Sequence, residues 1–278
     1  MSITLLVLVA VVATSSAAPF NTSELIYGGQ VVNVPYFPFQ LILMYDSGKE
    51  EAWCGATLIS PRYALTAAHC ALKFAKEHTT VYGGVYDIKH LENEWSQYST
   101  INNYIIHPHF SGNTTLANND IALIELNREF KETVTVKPIK IDLLWLLPEF
   151  PGGDVAIIGF GRSGSKENSQ RNNLLQYAQV NVIDRNICAL DWYNHDKTII
   201  SVEQICTTTT NSGALAGDSG GPVVYQRFVP ASGATEFRQL GIISFGEPST
   251  NLPNVHVRVP SFCQWIADNT NPRVDCSL

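Results

Sequence analysis

Basic charge is scarce in this sequence. Lys and Arg number 18 against 25 Asp and Glu, a formal net charge of −7 over 278 residues, and charged residues of both signs make up only 15%. That balance argues against nucleic acid or an anionic membrane surface as the main partner. Long apolar runs are missing as well. The run Ile3 to Ala13 is shorter than a spanning helix needs, and no other stretch is apolar for long enough. No two cysteines are spaced CxxC, which disfavours metal ligation by cysteine pairs. No internal repeat is visible, and helical periodicity is sparse.

The first residues are Ser/Thr and apolar, and they close on the small residues Ser15, Ser16, Ala17 and Ala18. This pattern reads as a secretory signal peptide over 1–17, with the α-amino group as its only positive charge. Cleavage after Ala17 or Ala18 fits the small-residue rule, and Pro19 favours the first. The remaining chain carries six cysteines, Cys54, Cys70, Cys188, Cys206, Cys263 and Cys276. In a secreted chain they imply a disulfide framework, whose pairing the sequence alone leaves open.

From Phe39 onward, short segments rich in β-branched and aromatic residues alternate with turn residues. The first set is Phe39 to Tyr45, Ala56 to Ile59, Tyr63 to Thr66, Tyr98 to Ile106 and Ile121 to Leu126. The second is Val155 to Phe160, Leu175 to Val182, Pro222 to Tyr225, Phe237 to Phe245 and Val255 to Val259. Many short strands and few helices predict an all-β fold. Two helices are expected: Asp184 to Trp192, and about 261–270, where Ser261 and Gln264 have the spacing of a capping box.

Three strings carry chemistry. Gly217-Asp218-Ser219-Gly220-Gly221-Pro222 sets a serine among glycines, Thr66-Ala67-Ala68-His69-Cys70 offers a base, and Asn119-Asp120-Ile121-Ala122-Leu123 offers a carboxylate. A serine hydroxyl needs a base to take its proton and donors to hold the oxyanion it creates. Each string alone has an ordinary explanation as a core histidine, a turn aspartate or a flexible loop. Together, in the order His, Asp, Ser, they resemble the chymotrypsin-like (trypsin-family) serine peptidases. The resemblance runs from Ile26 to about Asn269.

The resemblance implies two antiparallel six-stranded β-barrels, about 40–135 and 150–260, joined near Val134 to Gly153, with the active site between them and a C-terminal α-helix. It implies catalysis by His69, Asp120 and Ser219, an oxyanion hole from the Gly217 and Ser219 N–H groups, and support from Ser244. It makes 18–25 a short propeptide: cleavage would free the Ile26 ammonium to pair with Asp218, within a peptidase domain 26–278. Leu25 before the cut disfavours a trypsin-like activator and leaves self-activation open. Gly159-Phe160-Gly161 stands where relatives carry Gly-Trp-Gly. The implied disulfides are Cys54–Cys70 and Cys188–Cys206, which leaves Cys263 with Cys276; each contributes roughly 2–4 kcal/mol.

The resemblance also locates the specificity pocket at Gly213, Ser244, Gly246 and Asn254. Gly213 offers no carboxylate for Lys or Arg, so apolar residues before the cut are expected, chymotrypsin-like or elastase-like. Asn254 replaces a common Gly and narrows the pocket if its side chain points inward; His256 replaces a common Tyr. Leu215 stands where relatives carry a Cys, and Glu247 to Leu252 lacks the partner Cys, so one rim bridge is absent. The loop Val85 to Gln97 binds calcium in some relatives, but Glu92 and Glu94 are too few ligands. No metal and no cofactor are expected. Partners are protein or peptide substrates and protein inhibitors, acting on a secreted monomer. Asn113-Thr114-Thr115 is a glycosylation sequon, and Asn21-Thr22-Ser23 would leave with the propeptide. Two rivals remain: a catalytically inactive homologue acting as a binding module, and a lipase or esterase. The second needs its His after the serine, whereas His69 and Asp120 precede it.

Overall fold

Strands form wherever β-branched and aromatic residues run between turn residues. They are seen in a computed structural model that describes residues 26, 29–32, 36–112, 118–143, 151–162, 173–210, 212–230, 232–247 and 251–277. The expected leader 1–17, the expected propeptide 18–25 and the sequon at Asn113 lie outside these described residues.

After a short strand β1 (Gln30–Val31), six strands make the first barrel: β2 (Gln40–Asp46), β3 (Glu51–Leu58), β4 (Tyr63–Thr66), β5 (Thr79–Gly83), β6 (Gln97–Ile106) and β7 (Ala122–Leu126). They close in the order β2-β3-β4-β7-β6-β5. Every pairing around the ring is antiparallel, so no edge is left to pair with another chain. Leu41, Leu43, Ala56, Leu58, Val81 and Ile124 share one face of the ring and are buried.

The second sheet uses β8 (Lys140–Ile141), β9 (Asp154–Gly159), β10 (Gln176–Asn181), β11 (Gln204–Thr207), β12 (Pro222–Val229), β13 (Ala234–Phe245) and β14 (Asn254–Arg258). Its path is β1-β10-β9-β12-β13-β14-β11, with β8 added in parallel beside β13. Six of these strands, β10 to β11 along the path, curl into the second barrel. Its end strands meet at the single bridge Val182/Thr207, supported by Ile183 N–H donating to the Cys206 carbonyl at 3.0 Å and Thr208 N–H to Asn181 at 2.9 Å. The fold is all-β, as the strand pattern predicts, with the two barrel-like halves that the resemblance implies. The second is a half-barrel seamed at one place. One apolar cluster runs from Leu41 and Leu65 in the first half to Ile158, Phe160 and Ile242 in the second.

Three α-helices are present among the described residues: α1 (Ala68–Lys73), α2 (Arg185–Asp196) and α3 (Cys263–Asp268). Asp184 caps α2 by accepting from the N–H groups of Asn186 and Ile187. The capping box expected at Ser261 does not form. A 3₁₀ turn over Val259–Phe262 leads into α3, so Ser261 lies inside that turn and accepts from Arg258 Nη1 at 3.0 Å instead. Disulfides join Cys54 to Cys70, Cys188 to Cys206, and Cys263 to Cys276. Among the described residues no helix is long and apolar enough to cross a membrane.

Candidate active site

His69 sits on α1, directly after β4. The helix is too short to be stable alone; buried Ala68, Cys70 and Ala71 seat it, and Cys70 is bonded to Cys54 on β3. His69 faces outward with its side chain 39% exposed. Asp120 precedes β7, after Asn119 in the left-handed region at φ 58°. Its carboxylate is buried and takes three donors. Oδ1 accepts the His69 backbone N–H at 2.9 Å; Oδ2 accepts His69 Nδ1 at 2.8 Å and the Ser244 hydroxyl at 2.6 Å. Burial pushes the Asp120 carboxyl up, but the hydrogen bonds and charge of His69 and the Ser244 hydroxyl outweigh it and hold it below the usual carboxylate range. With Nδ1 donating to Asp120, Nε2 is left as the acceptor, which is the tautomer a general base needs.

Ser244 reaches Asp120 because β13 is irregular there. Ile243 pairs with His256 and Phe245 with Val255, so Ser244 is an extra residue in the ladder. Such a bulge redirects a side chain, here across the seam onto a carboxylate of the first barrel.

The serine loop is laced to both halves. Gly55 N–H donates to the Ser219 carbonyl at 2.7 Å, and Gly220 N–H to Ile243 at 2.8 Å. Gly220 has φ 80°, and a Cβ there would strike Thr66 Oγ1 and the Gly55 carbonyl. Only glycine fits that conformation and that approach. Cys70 Sγ lies 3.5 Å from His69 Nε2 and 3.8 Å from the Ser219 carbonyl oxygen, so base and nucleophile flank the same disulfide. The Ser219 hydroxyl and His69 are not hydrogen-bonded to one another here; such contacts commonly tighten only around substrate. The N–H groups of Gly217 and Ser219 make no hydrogen bond among the described residues. Cys54, His69 and Cys70 bring three metal-type atoms within 4.8 Å of one another. Both sulfurs are tied up in the disulfide, so neither is the thiolate a metal would need.

Asp218 is fully buried. Oδ1 accepts Gly161 N–H at 2.7 Å and Oδ2 accepts Leu215 N–H at 2.9 Å. A Cβ on Gly159 or Gly161 would collide with this carboxylate, which accounts for both glycines of Gly159-Phe160-Gly161. Burial pushes the Asp218 carboxyl up to about 7, against those two N–H bonds. Ile26 is buried among Val155, Ile157, Ala178 and Val180. In the uncut chain its nitrogen is a peptide amide, and no hydrogen bond or ion pair joins it to Asp218 among the described residues.

Asn254, at the start of β14, spans the expected pocket and is buried. Its Oδ1 accepts Ala214 N–H at 2.9 Å. A Cβ on Gly213 would sit 2.8 Å from Oδ1, and one on Gly246 would collide with Nδ2. The amide therefore fills the space between Gly213 and Gly246. Beside it, His256 Nε2 meets Thr207 Oγ1 at 2.8 Å, and burial pushes its pKa down to about 3. His256 is a neutral wall residue. Trp53 on β3 enters the site unannounced by the sequence: its indole N–H donates to the Phe160 carbonyl at 3.1 Å, and a Cβ on Gly217 would sit 2.9 Å from Nε1.

The comparisons agree with this arrangement. The Trypsin family model matches residues 26–266. The chain is 31% identical to Chymotrypsin-2 of Vespa crabro, over 88% of this chain and 99% of that one. It is 31% identical to CLIP domain-containing serine protease B10 of Anopheles gambiae, over 89% and 70% of the two chains. It is 30% identical to Venom serine protease 34 of Apis mellifera, over 96% and 64%, so it spans less than two thirds of that protein. A fold of two β-barrel halves, with His69, Asp120 and Ser219 gathered at their seam, and a family match across nearly all of it lead to one conclusion: this chain belongs to the trypsin family of chymotrypsin-like serine proteases.

Proposed function

We propose that this chain is a secreted serine endopeptidase, made as a zymogen, that hydrolyses peptide bonds after apolar residues. The observation that carries the reading is the Asp120 carboxylate, which holds the His69 ring through Nδ1 at 2.8 Å while Ser244 supports it from the other half. Ser219 Oγ attacks the peptide carbonyl as His69 Nε2 takes its proton. The Gly217 and Ser219 N–H groups hold the oxyanion. His69 then returns the proton to the leaving amine, and water repeats the sequence on the acyl-enzyme. Asp120 orients His69 and stabilises the imidazolium without taking the proton.

Activation by cleavage after Leu25 would supply a charge to Asp218. A carboxylate so deeply buried is costly without a partner, and the freed Ile26 ammonium is the partner the resemblance provides. Specificity follows from the pocket. Gly213 brings no carboxylate, and the Asn254 amide shortens the space between Gly213 and Gly246, which favours the smaller apolar side chains. The leader and Asn113 fit export and glycosylation, and protein substrates and inhibitors are the partners of a monomer.

The test incubates the chain cut after Leu25 with a peptide library, beside Ser219→Ala. Cleavage after Ala, Val or Leu, absent in the variant, is the expected result. Preference for Arg or Lys would overturn the pocket assignment. No cleavage at all would favour the binding-module alternative.

A further inference from the structure

The geometry points to Trp53 as a positioning residue for the oxyanion donor Gly217, a role that rests on the peptidase reading. The segment Phe160-Gly161-Arg162 lies along the serine loop and touches it at successive residues. Gly161 N–H donates to Asp218 Oδ1 at 2.7 Å. Arg162 N–H donates to the Ala216 carbonyl at 3.0 Å. The second contact matters most. In a trans peptide the C=O and N–H point opposite ways, so holding the Ala216 oxygen toward Arg162 turns the Gly217 N–H away from it.

Trp53 anchors this strap. Its indole N–H donates to the Phe160 carbonyl at 3.1 Å, one residue before the Gly161 contact. The same indole lies against Gly217, whose φ of 102° is open to glycine alone. The ring therefore borders the 216–217 peptide on its Gly217 side. Trp53 is held in turn by β3, where it pairs with Met44, and two residues further on β3 places Gly55 against the Ser219 carbonyl. One strand of the closed first barrel thus steadies both ends of the serine loop. The loop has need of it: Leu215 stands four residues before the nucleophile and no disulfide among the three crosses this rim.

The experiment compares wild type, Trp53→Phe and Trp53→Leu, each cut after Leu25. It measures kcat, KM, thermal unfolding, and inhibition by a peptide aldehyde and by the matching peptide amide. The aldehyde forms a hemiacetal whose oxygen uses the oxyanion donors; the amide binds without them. Loss of one full donor costs about a hundredfold or more in kcat, so loosening one is expected to lower kcat about tenfold with KM within about twofold. Aldehyde affinity should fall in step with kcat and amide affinity should hold. Unchanged kcat, or equal weakening of aldehyde and amide, overturns the role and leaves the peptidase reading intact. A wild type that cleaves nothing overturns both. Should the variants fail to fold, fluorotryptophan in the wild type carries the test, with the Trp53 resonance assigned by substituting the other four tryptophans. A shift on aldehyde binding that the amide does not produce supports the role, and no shift overturns it.

Discussion

The two halves of the molecule hold their parts of the site by different means. The first barrel is a closed ring, and its share is complete without any processing: a disulfide seats α1, and every oxygen of Asp120 has its donors. The second half is seamed at one bridge, and it carries the serine, the oxyanion donors and the pocket on loops held by two buried polar side chains, Asp218 and Asn254. Asp218 lies outside the sheet ladder, whereas Asn254 opens β14 opposite Thr207. The candidate base is therefore preorganised by the fold, whereas in the zymogen reading proposed above the nucleophile loop waits on the charge state of Asp218. Catalytic parts of one kind can be built into a scaffold, and parts of the other kind can be switched.

The largest effect should come from breaking the preorganised half. Asp120→Asn keeps the size of the side chain but turns a donor toward His69 Nδ1, favouring the wrong tautomer. Activity of the cut enzyme should fall about 10⁴-fold. The melting temperature of the uncut chain should move little beside that loss. A modest activity loss would mean that His69 is held by α1 alone.

The second half is sharpened by pH. Asp218 has its folded pKa raised to about 7 from an ordinary 3.8. A raised carboxyl binds a proton that the unfolded chain has already lost, so this group's contribution to the uncut protein is greatest below about pH 4 and is lost as pH rises to about 7. The loss due to this group is about 4 kcal/mol. Buried His256 and Asp120, both with lowered pKa, slope the other way, so urea unfolding of the uncut Ser219→Ala chain should show that decline as a difference from the same chain with Asp218→Asn, in which this group's share is flattened. Cleavage after Leu25 should flatten it too, because an ammonium partner keeps the carboxylate charged. No difference in slope on either change would place the titrating group elsewhere.

The order of the strands was legible because β-branched and aromatic residues mark them. The candidate base, acid and nucleophile were legible only together, because each string alone has an ordinary explanation and their order carries the resemblance. What escaped was what depends on contact. α1 has six residues and no side-chain cap, too little for a periodic signal, although it carries His69. β5 and β11 are short and begin on polar residues, Thr79 and Gln204. Trp53 shows nothing in its own neighbourhood, because its partners at Phe160 and Gly217 are more than a hundred residues away. Asn254 could be placed at the pocket by position, but which way its amide lies is decided by Ala214.

A smaller effect tests the pocket side of the comparison. Asn254→Gly removes the amide between Gly213 and Gly246. One buried hydrogen bond to Ala214 goes with it, a cost of about 1 kcal/mol in stability. The preference between Phe and Ala before the cut should shift toward Phe by about 10- to 100-fold in kcat/KM. An unchanged preference would show that the space opened is not where the substrate side chain lies.

The smallest expected effect falls where the halves touch. Ser244→Ala deletes the only donor that the second half gives to Asp120 among the described residues, a 2.6 Å hydrogen bond at the β13 bulge. Two bonds from His69 remain, so the ring keeps its tautomer, and kcat should fall by about tenfold or less. Losing that donor also weakens the hold on the Asp120 charge, so the carboxyl rises toward its ordinary value. A loss as large as that of Asp120→Asn would mean that the second half, through one bulged residue, decides the geometry of the first.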